Sequence, residues 1–445
     1  MDTAAPLTLR FRPTLRATIA LPPSKSISAR ALIVQAFAGQ SAMIDNLSHC
    51  DDTRAMRHAL GEGRHGTTID IGASGTAMRF LTAFFATCEG ETHVLTGTPR
   101  MLQRPIGPLV DALRTLGAEI HYEGAEGFPP LRIVGHRLQG GRVSVPASIS
   151  SQYISALMMA GAVMPQGLVI ELLGKIASRP YIEMTLELMR QWGADATFCG
   201  NILTILPGNG YHRQQTYRIE PDWSAASYWY SLVALSPDAG ATVKLTGLSA
   251  ESIQGDRVCA TLFRTLGVEA LADDDGGLRI VKAASYRLPS DIQHFDMADC
   301  PDLAQGLVVA AALLGIPFAC SGLESLKIKE TDRMAALMTE MEKLGLHLES
   351  PDDGHLNFSP SPASLSAPIA AFSGSNTHDD QQETAENAAA NATMPCINTY
   401  DDHRMAMAFA PAAWIFPGLN IAHPEVVSKS YPEFWQHLSC LTRES

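Results

Sequence analysis

SSQYISALMMAGAVMPQG, Ser150 to Gly167, opens on polar side chains, continues as an uncharged run and closes on glycine. The run is long enough for a buried helix and short for a membrane span. The same device recurs at Ser24–Gly39, Ser74–Gly90, Asp222–Gly240, Asp302–Gly315 and Asp402–Gly418, each run with few charges or none. The polar residues always stand where the run begins. A helix start exposes unpaired N–H groups at the positive end of the dipole, which suits an anion. Six such starts point to multiply charged anionic ligands, although a Ser or Asp there is also an ordinary N-cap.

A second pattern alternates with the first. An Arg opens an amphipathic stretch that ends in Gly: Arg104 to Gly117, Arg179 to Gly193, Arg257 to Gly267 and Arg333 to Gly345. One, four and seven residues before each Gly stand Leu116, Leu113, Val110; Trp192, Met189, Leu186; Leu266, Phe263, Ala260; and Leu344, Met341, Met338. That is one helical face in one register, with Gly as the C-cap. The four glycines are 76, 74 and 78 residues apart. A fixed period of this size marks an internal repeat. The expected fold is α/β, two domains built from six units of two helices and short mixed strands. Arg54–Gly61 is a shortened first copy, and Pro432–Leu438 belongs to the last. The expected domains are 21–219 and 1–20 plus 220–445, because a first strand at Leu7–Arg12 needs a sheet to join. Residues 351–395 read as an insert, with Ser373–Thr393 rich in Ala, Asn, Gln, Asp and Glu and free of apolar periodicity.

Composition narrows the function. A formal charge of −13 argues against nonspecific nucleic-acid binding and requires local Arg and Lys to hold any anion. Eight scattered Cys, without a C-x-x-C pair, suggest neither a zinc site nor a disulfide framework and fit a reducing cytosol. The N-terminus lacks a basic-then-apolar leader pattern. Leu303–Leu323 is uncharged for 21 residues, but Gly315 and Pro317 break it into a core helix and a strand.

Chemistry-bearing residues gather at the run starts. Ser24-Lys25-Ser26 precedes Arg30, and Gly72-Ala73-Ser74-Gly75-Thr76 precedes Arg79. The second is no Walker loop, but its glycines let a ligand approach backbone N–H groups. Gln103-Arg104-Pro105 and Ser178-Arg179-Pro180-Tyr181 place Arg beside a helix-starting Pro. A cation at a helix start opposes the dipole, so an anionic partner is expected. Lys329-Glu330-Thr331-Asp332-Arg333 and Asp401-Asp402-His403-Arg404 put both signs beside apolar helices, and Asp302 and Lys429 stand at the starts of others. Asp302 reads equally as an N-cap or a general base.

Seven segments together resemble the 5-enolpyruvylshikimate-3-phosphate synthase family: LPPSKSISAR (Leu21–Arg30), GASGTAMR (Gly72–Arg79), QRPIG (Gln103–Gly107), SSQY (Ser150–Tyr153), SRPYI (Ser178–Ile182), KIKETDR (Lys327–Arg333) and YDDHRMAM (Tyr400–Met407). They stand in family order. The resemblance implies a two-domain inverse α/β fold and transfer of an enolpyruvyl group from phosphoenolpyruvate to the 5-hydroxyl of shikimate 3-phosphate. It implies a cytoplasmic monomer acting on small anionic substrates, with no metal or organic cofactor, nucleic acid or membrane. By motif position, Lys25, Ser26, Arg30, Ser150, Ser151, Gln152, Ser178, Tyr181, Asp302, Ser325 and Lys329 would meet shikimate 3-phosphate. Lys25, Gly75, Arg104, Gln152, Arg333, Arg404 and Lys429 would meet phosphoenolpyruvate. Asp302 would take the 5-hydroxyl proton, Glu330 would move the proton at the methylene carbon, and Lys25 would serve both substrates.

The departures are Ser325 and Ala73, where the family usually has Asn, a short segment between Arg54 and Gly72, and the 351–395 insert. Gly75 implies sensitivity to the family's inhibitor glyphosate, with Ala73 and Phe80 as unusual neighbours. The related transferase acting on UDP-N-acetylglucosamine would carry a Cys in Leu95–Arg104, where none stands, and Lys-Asn where Ser24-Lys25-Ser26 stands. A catalytically inert anion-binding relative is the other alternative.

Overall fold

In the computed structural model, residues 5–39, 43–148, 150–208, 210–212, 215–273, 276–360 and 394–442 are described. Their α-helices are α1 (Lys25–Phe37), α2 (Asp51–Leu60), α3 (Gly75–Ala86), α4 (Gly107–Thr115), α5 (Ser151–Gly161), α6 (Arg179–Gln191), α7 (Trp223–Leu235), α8 (Cys259–Leu262), α9 (Ala304–Leu313), α10 (Arg333–Lys343), α11 (His403–Phe409) and α12 (Phe434–Ser439).

Local chemistry sets five of the six run starts. Ser24, Ser74, Ser150, Asp222 and Asp402 each accept a hydrogen bond from a first-turn N–H of α1, α3, α5, α7 and α11. Asp302 does not cap α9; it lies in a short 3-10 turn ahead of it, and its carboxylate turns elsewhere. Gly117, Gly193, Gly267 and Gly345 lie just past the ends of the amphipathic segments with φ between 74° and 94°, the left-handed turn expected of a C-cap.

Two helix expectations need correction. Arg104 is extended (φ −90°, ψ 124°) and α4 begins only at Gly107. The ring of Pro105 disfavours helical backbone at the preceding residue. The segment from Arg257 is not one helix but the single turn α8 between two 3-10 turns. Val258, Cys259 and Thr261 are weak helix formers.

Among the described residues the strands form six sheets. Three share one order: a parallel pair, an antiparallel third strand and an antiparallel outer strand. They are Thr68–Asp70, Thr92–Thr96, Leu131–Val134, Glu119–Tyr122; Gly141–Pro146, Leu168–Leu173, Ile202–Ile205, Ala196–Cys199; and Arg16–Ala20, Thr242–Thr246, Leu278–Lys282, Val268–Ala272. Parallel neighbours need a crossover, and the buried helices α3, α5 and α7 lie between them in sequence. Leu7–Leu9 pairs with Leu419–Ile421 and brings the two ends of the chain into one sheet. Leu356–Phe358 pairs with Phe318–Ser321, so the front of the 351–395 stretch is part of a sheet. Residues 361–393, which hold the low-complexity stretch, lie outside the described residues.

Buried apolar residues form two cores. One gathers Ile27 to Ile219; the other gathers Leu9 to Leu21 and Trp223 to Leu441. The chain passes between them twice, side by side: Ser24 N donates to Glu220 O (2.8 Å) and Asp222 N to Pro22 O (2.9 Å). Asp222 also accepts from Lys25 N (3.0 Å), so the start of α7 serves this passage rather than a ligand. Among the described residues no helix is long and apolar enough to cross a membrane.

Candidate active site

The starts of α1, α3, α5 and α6 from the first core face Asp302, Lys329–Glu330, Arg333 and Arg404 from the second, around a cavity of about 90 Å³. Lys25, Ser26, Arg30, Gly75, Arg104, Ser150, Ser151, Gln152, Ser178, Tyr181, Asp302, Ser325, Lys329, Glu330, Arg333 and Arg404 all line it. Lys429 does not. Its Nζ sits just behind, donating to Ala73 O (2.6 Å) and lying 3.4 Å from Asp52 and 3.5 Å from Glu330. A larger groove of about 900 Å³ between α6 and α8 is lined by five Arg and Glu side chains, against ten Lys, Arg, Asp and Glu around the smaller cavity.

Asp302 is the electrostatic centre of the second-core wall. Its carboxylate lies 2.7 Å from Arg404, 3.3 Å from Arg333 and 3.5 Å from Lys329. Burial alone would raise its pKa; the cations, Arg404 foremost, hold it well below the ordinary carboxylate range. Glu330 is similar: against burial, Lys429 (3.5 Å), Arg333 (3.0 Å) and Arg104 (3.8 Å) hold it well below its usual value. Arg333 is anchored by Asp402 at 2.6 Å, and the same carboxylate caps α11 through Arg404 N (2.9 Å). Lys25 lies 3.0 Å from Asp52; burial alone would lower its pKa, but Asp52, together with Cys50 and Glu330, raises it above the ordinary value.

The first-core wall offers donors and a single acid, Asp52, which is already paired with Lys25. Arg30 bonds Thr185 Oγ1 (2.7 Å), Ser26 O (2.9 Å) and Ser155 Oγ (3.2 Å), and its guanidinium lies 5.3 Å from the Phe80 ring centre. With no carboxylate paired to it among the described residues, burial lowers its pKa to about 10. Arg104 keeps Nε and Nη1 without hydrogen-bond partners among the described residues. Buried donors are costly unless paired, so this fork suits an anion. Gly75 lies against it: a Cβ there would come within 2.6 Å of Arg104 Nη1. Ser178 adopts φ 55°, unusual for a residue with a side chain, and its N–H donates to Ala298 O (2.9 Å) in the other core. Tyr181 reaches the same core through Asp256 (3.1 Å).

The family profile of EPSP synthase (3-phosphoshikimate 1-carboxyvinyltransferase) matches residues 10–65 and 61–438. The chain belongs to the EPSP synthase family. Its relatives include proteins named 3-phosphoshikimate 1-carboxyvinyltransferase from Bacteroides fragilis (strain YCH46), 47% identical with 95% of each chain covered, and from Cellvibrio japonicus (strain Ueda107), 36% identical with 95% of this chain and 96% of that one covered. A solved EPSP synthase from Acinetobacter baumannii shares the fold, with a TM-score of 0.67, 21% identity and coverage of 99% and 98%.

For this EPSP synthase family chain, the cavity also contains residues that motif reading gave no role: Asp52, Thr76, Arg79, Tyr153 and His403. Thr76 accepts from Gln152 Nε2 (3.1 Å), and Tyr153 and Arg79 both donate to Pro105 O (2.6 Å each). Thr76, Arg79, Tyr153 and His403 all stand inside the seven motif segments, so their positions are legible in the sequence. Asp52 stands outside them, and its partners Lys25 and Lys429 come from distant segments.

Proposed function

We propose that this chain transfers the enolpyruvyl group of phosphoenolpyruvate to the 5-hydroxyl of shikimate 3-phosphate and releases inorganic phosphate. The observation that carries the reading is the meeting of Asp302 and Glu330 with Lys25, Arg104, Arg333 and Arg404 around one cavity. Asp302 takes the hydroxyl proton as the 5-oxygen bonds to C2 of phosphoenolpyruvate, and Glu330, protonated from solvent once the bound donor takes over its cations, delivers that proton to C3. The tetrahedral intermediate then loses phosphate from C2 and the proton from C3, which restores the double bond. Arg forks suit both the carboxylate and the phosphate of the donor, and the clustered cations stabilise the added charge in a closed site. Arg30, Ser150, Ser151, Gln152, Ser178, Tyr181, Ser325 and Lys329 hold shikimate 3-phosphate, with Lys25 and Ser26. Gly75, Gln152 and Lys429 complete the phosphoenolpyruvate site.

A cavity of about 90 Å³ is far below the several hundred Å³ that small-molecule sites occupy. The two cores therefore act as domains, 21–219 and 1–20 plus 220–445, that part to admit substrates and close for chemistry. The reading carries with it a cytoplasmic monomer that needs no metal, organic cofactor, nucleic acid or membrane.

The test is phosphate release from phosphoenolpyruvate with shikimate 3-phosphate or UDP-N-acetylglucosamine as acceptor. Release with shikimate 3-phosphate alone, lost in Asp302→Ala and Glu330→Gln, is the expected result. Release with the sugar nucleotide alone, or binding without release, refutes it.

A further inference from the structure

Arg100 has no assigned role, does not line the cavity, and is exposed. Among the described residues it pairs with no carboxylate. Its guanidinium instead crosses from the first core to the second: Nε donates to Glu330 O (3.1 Å) and Nη2 to Lys329 O (3.0 Å). These two carbonyls lie in the short segment between the 3-10 turn Glu324–Ile328 and the start of α10, within neither helix nor strand. Among the described residues, neither carbonyl has another donor. The backbone of Lys329 and Glu330 is thus held by the opposite core.

We propose that Arg100 is a positioning residue: a clasp that forms when the cores close and fixes the peptide groups carrying Lys329 and Glu330. Two neighbouring carbonyls match a guanidinium fork, which a Lys ammonium cannot reproduce. Lys429 makes the reciprocal contact, reaching from the second core to Ala73 O beside the Gly75 loop (2.6 Å). Each half of the site is therefore steadied by a cation of the other half. Unlike the hydrogen bonds at the double chain passage, where the cores are covalently linked, the Arg100 contacts join segments that meet only when the cores close. That ties the placement of Glu330 to closure.

The inference rests on the reading of Lys329 and Glu330 proposed above, so its test has a readout independent of chemistry. Arg100→Ala and Arg100→Lys would be compared with the parent in kcat, in KM for each substrate, in thermal midpoint, and in radius of gyration by X-ray scattering with saturating shikimate 3-phosphate. Losing a pair of charge-assisted hydrogen bonds at an exposed position predicts a fall of about tenfold in kcat for Arg100→Ala. The KM for shikimate 3-phosphate and the thermal midpoint should stay within experimental range of the parent. The radius of gyration should increase, and Arg100→Lys should recover part of both effects. Parent kcat and parent radius in Arg100→Ala would overturn the proposal, as would a kcat loss matched by loss of thermal stability. Full activity in Glu330→Gln would overturn the role given to Glu330 while leaving the scattering difference to judge the clasp.

Discussion

Gly75→Ala separates ligand binding from folding more cleanly than any other single change in this site. Gly75 is the first residue of α3. An added Cβ would lie 2.6 Å from Nη1 and 2.8 Å from Cζ and Nη2 of Arg104. Ordinary carbon contacts begin near ~3.5 Å, so the guanidinium must retreat by about 1 Å. The crowded atoms are the end of a flexible side chain, so the backbone can stay where it is. Replacing Gly by Ala in a helix is favourable by up to about 1 kcal/mol. The thermal midpoint should therefore hold or rise slightly. Ligand binding should not. A fork displaced by about 1 Å loses a charge-assisted hydrogen bond to phosphoenolpyruvate, about 1.5–3 kcal/mol. At about 1.4 kcal/mol per decade, kcat/KM for phosphoenolpyruvate should fall about ten- to a hundredfold. The assay is initial-rate phosphate release over a range of phosphoenolpyruvate at saturating shikimate 3-phosphate, with the affinity for shikimate 3-phosphate measured separately. That affinity should be unchanged. A KM for phosphoenolpyruvate within twofold of the parent would refute both the steric argument and the role of Arg104.

Asp302→Ala should lower kcat by about a thousandfold, the scale of a lost general base. Phosphoenolpyruvate should bind at least as tightly as to the parent, because Arg333 and Arg404 lose a competing carboxylate; weaker binding by calorimetry would contradict this. Asp256 is buried, and burial followed by the nearby Asp302 charge raises its pKa from 3.8 to about 6. Its stabilising effect is complete below the unfolded value and disappears as pH rises through about 6, a loss on the order of 3 kcal/mol by neutral pH. Asp256→Asn should remove that loss, raising the midpoint at pH 7 and flattening its change between pH 4 and 7 in calorimetric scans. Glyphosate should inhibit the parent at millimolar concentration, and activity unaffected there would show that Ala73 or Phe80 has altered the site around Gly75.

What was legible in the sequence was local. Ser24, Ser74, Ser150, Asp222 and Asp402 cap their helices because a short polar side chain need only reach an N–H two or three residues ahead. The shared register of α4, α6 and α10 follows from one apolar stripe. Arg104 lies outside α4 because Pro105, a helix-start signal, also disfavours helical backbone at the residue before it. Asp302 was ambiguous because capping and ion pairing use the same carboxylate; three cations from other segments decide for pairing. Asp52 carried no signal at all. An acid in the first turn of α2 looks like an ordinary dipole partner, and only the fold brings Lys25 to 3.0 Å and Lys429 to 3.4 Å.

The same ion pairs constrain how the site can work. Arg333 meets three carboxylates: Asp402 at 2.6 Å, Glu330 at 3.0 Å and Asp302 at 3.3 Å. They are not equivalent. Asp402 is fully buried and also caps α11, so releasing it would strand both a charge and a helix start. Asp302 and Glu330 keep side-chain exposures of 19% and 12% toward the cavity, and neither caps a helix. An incoming carboxylate or phosphate can replace these two at Arg333, Arg404 and Arg104, but not Asp402. The exchange has a chemical consequence. While their cations face them, Asp302 and Glu330 are poor bases, held well below the usual carboxylate range. In the proposed reaction, a ligand that takes over those cations raises both pKa values, which makes Asp302 a better base and lets Glu330 hold the proton it delivers. On the roles proposed for Asp302 and Glu330, substrate binding and activation of the acid–base pair are one event, in which Asp402 holds Arg333 in place while the other two carboxylates are released.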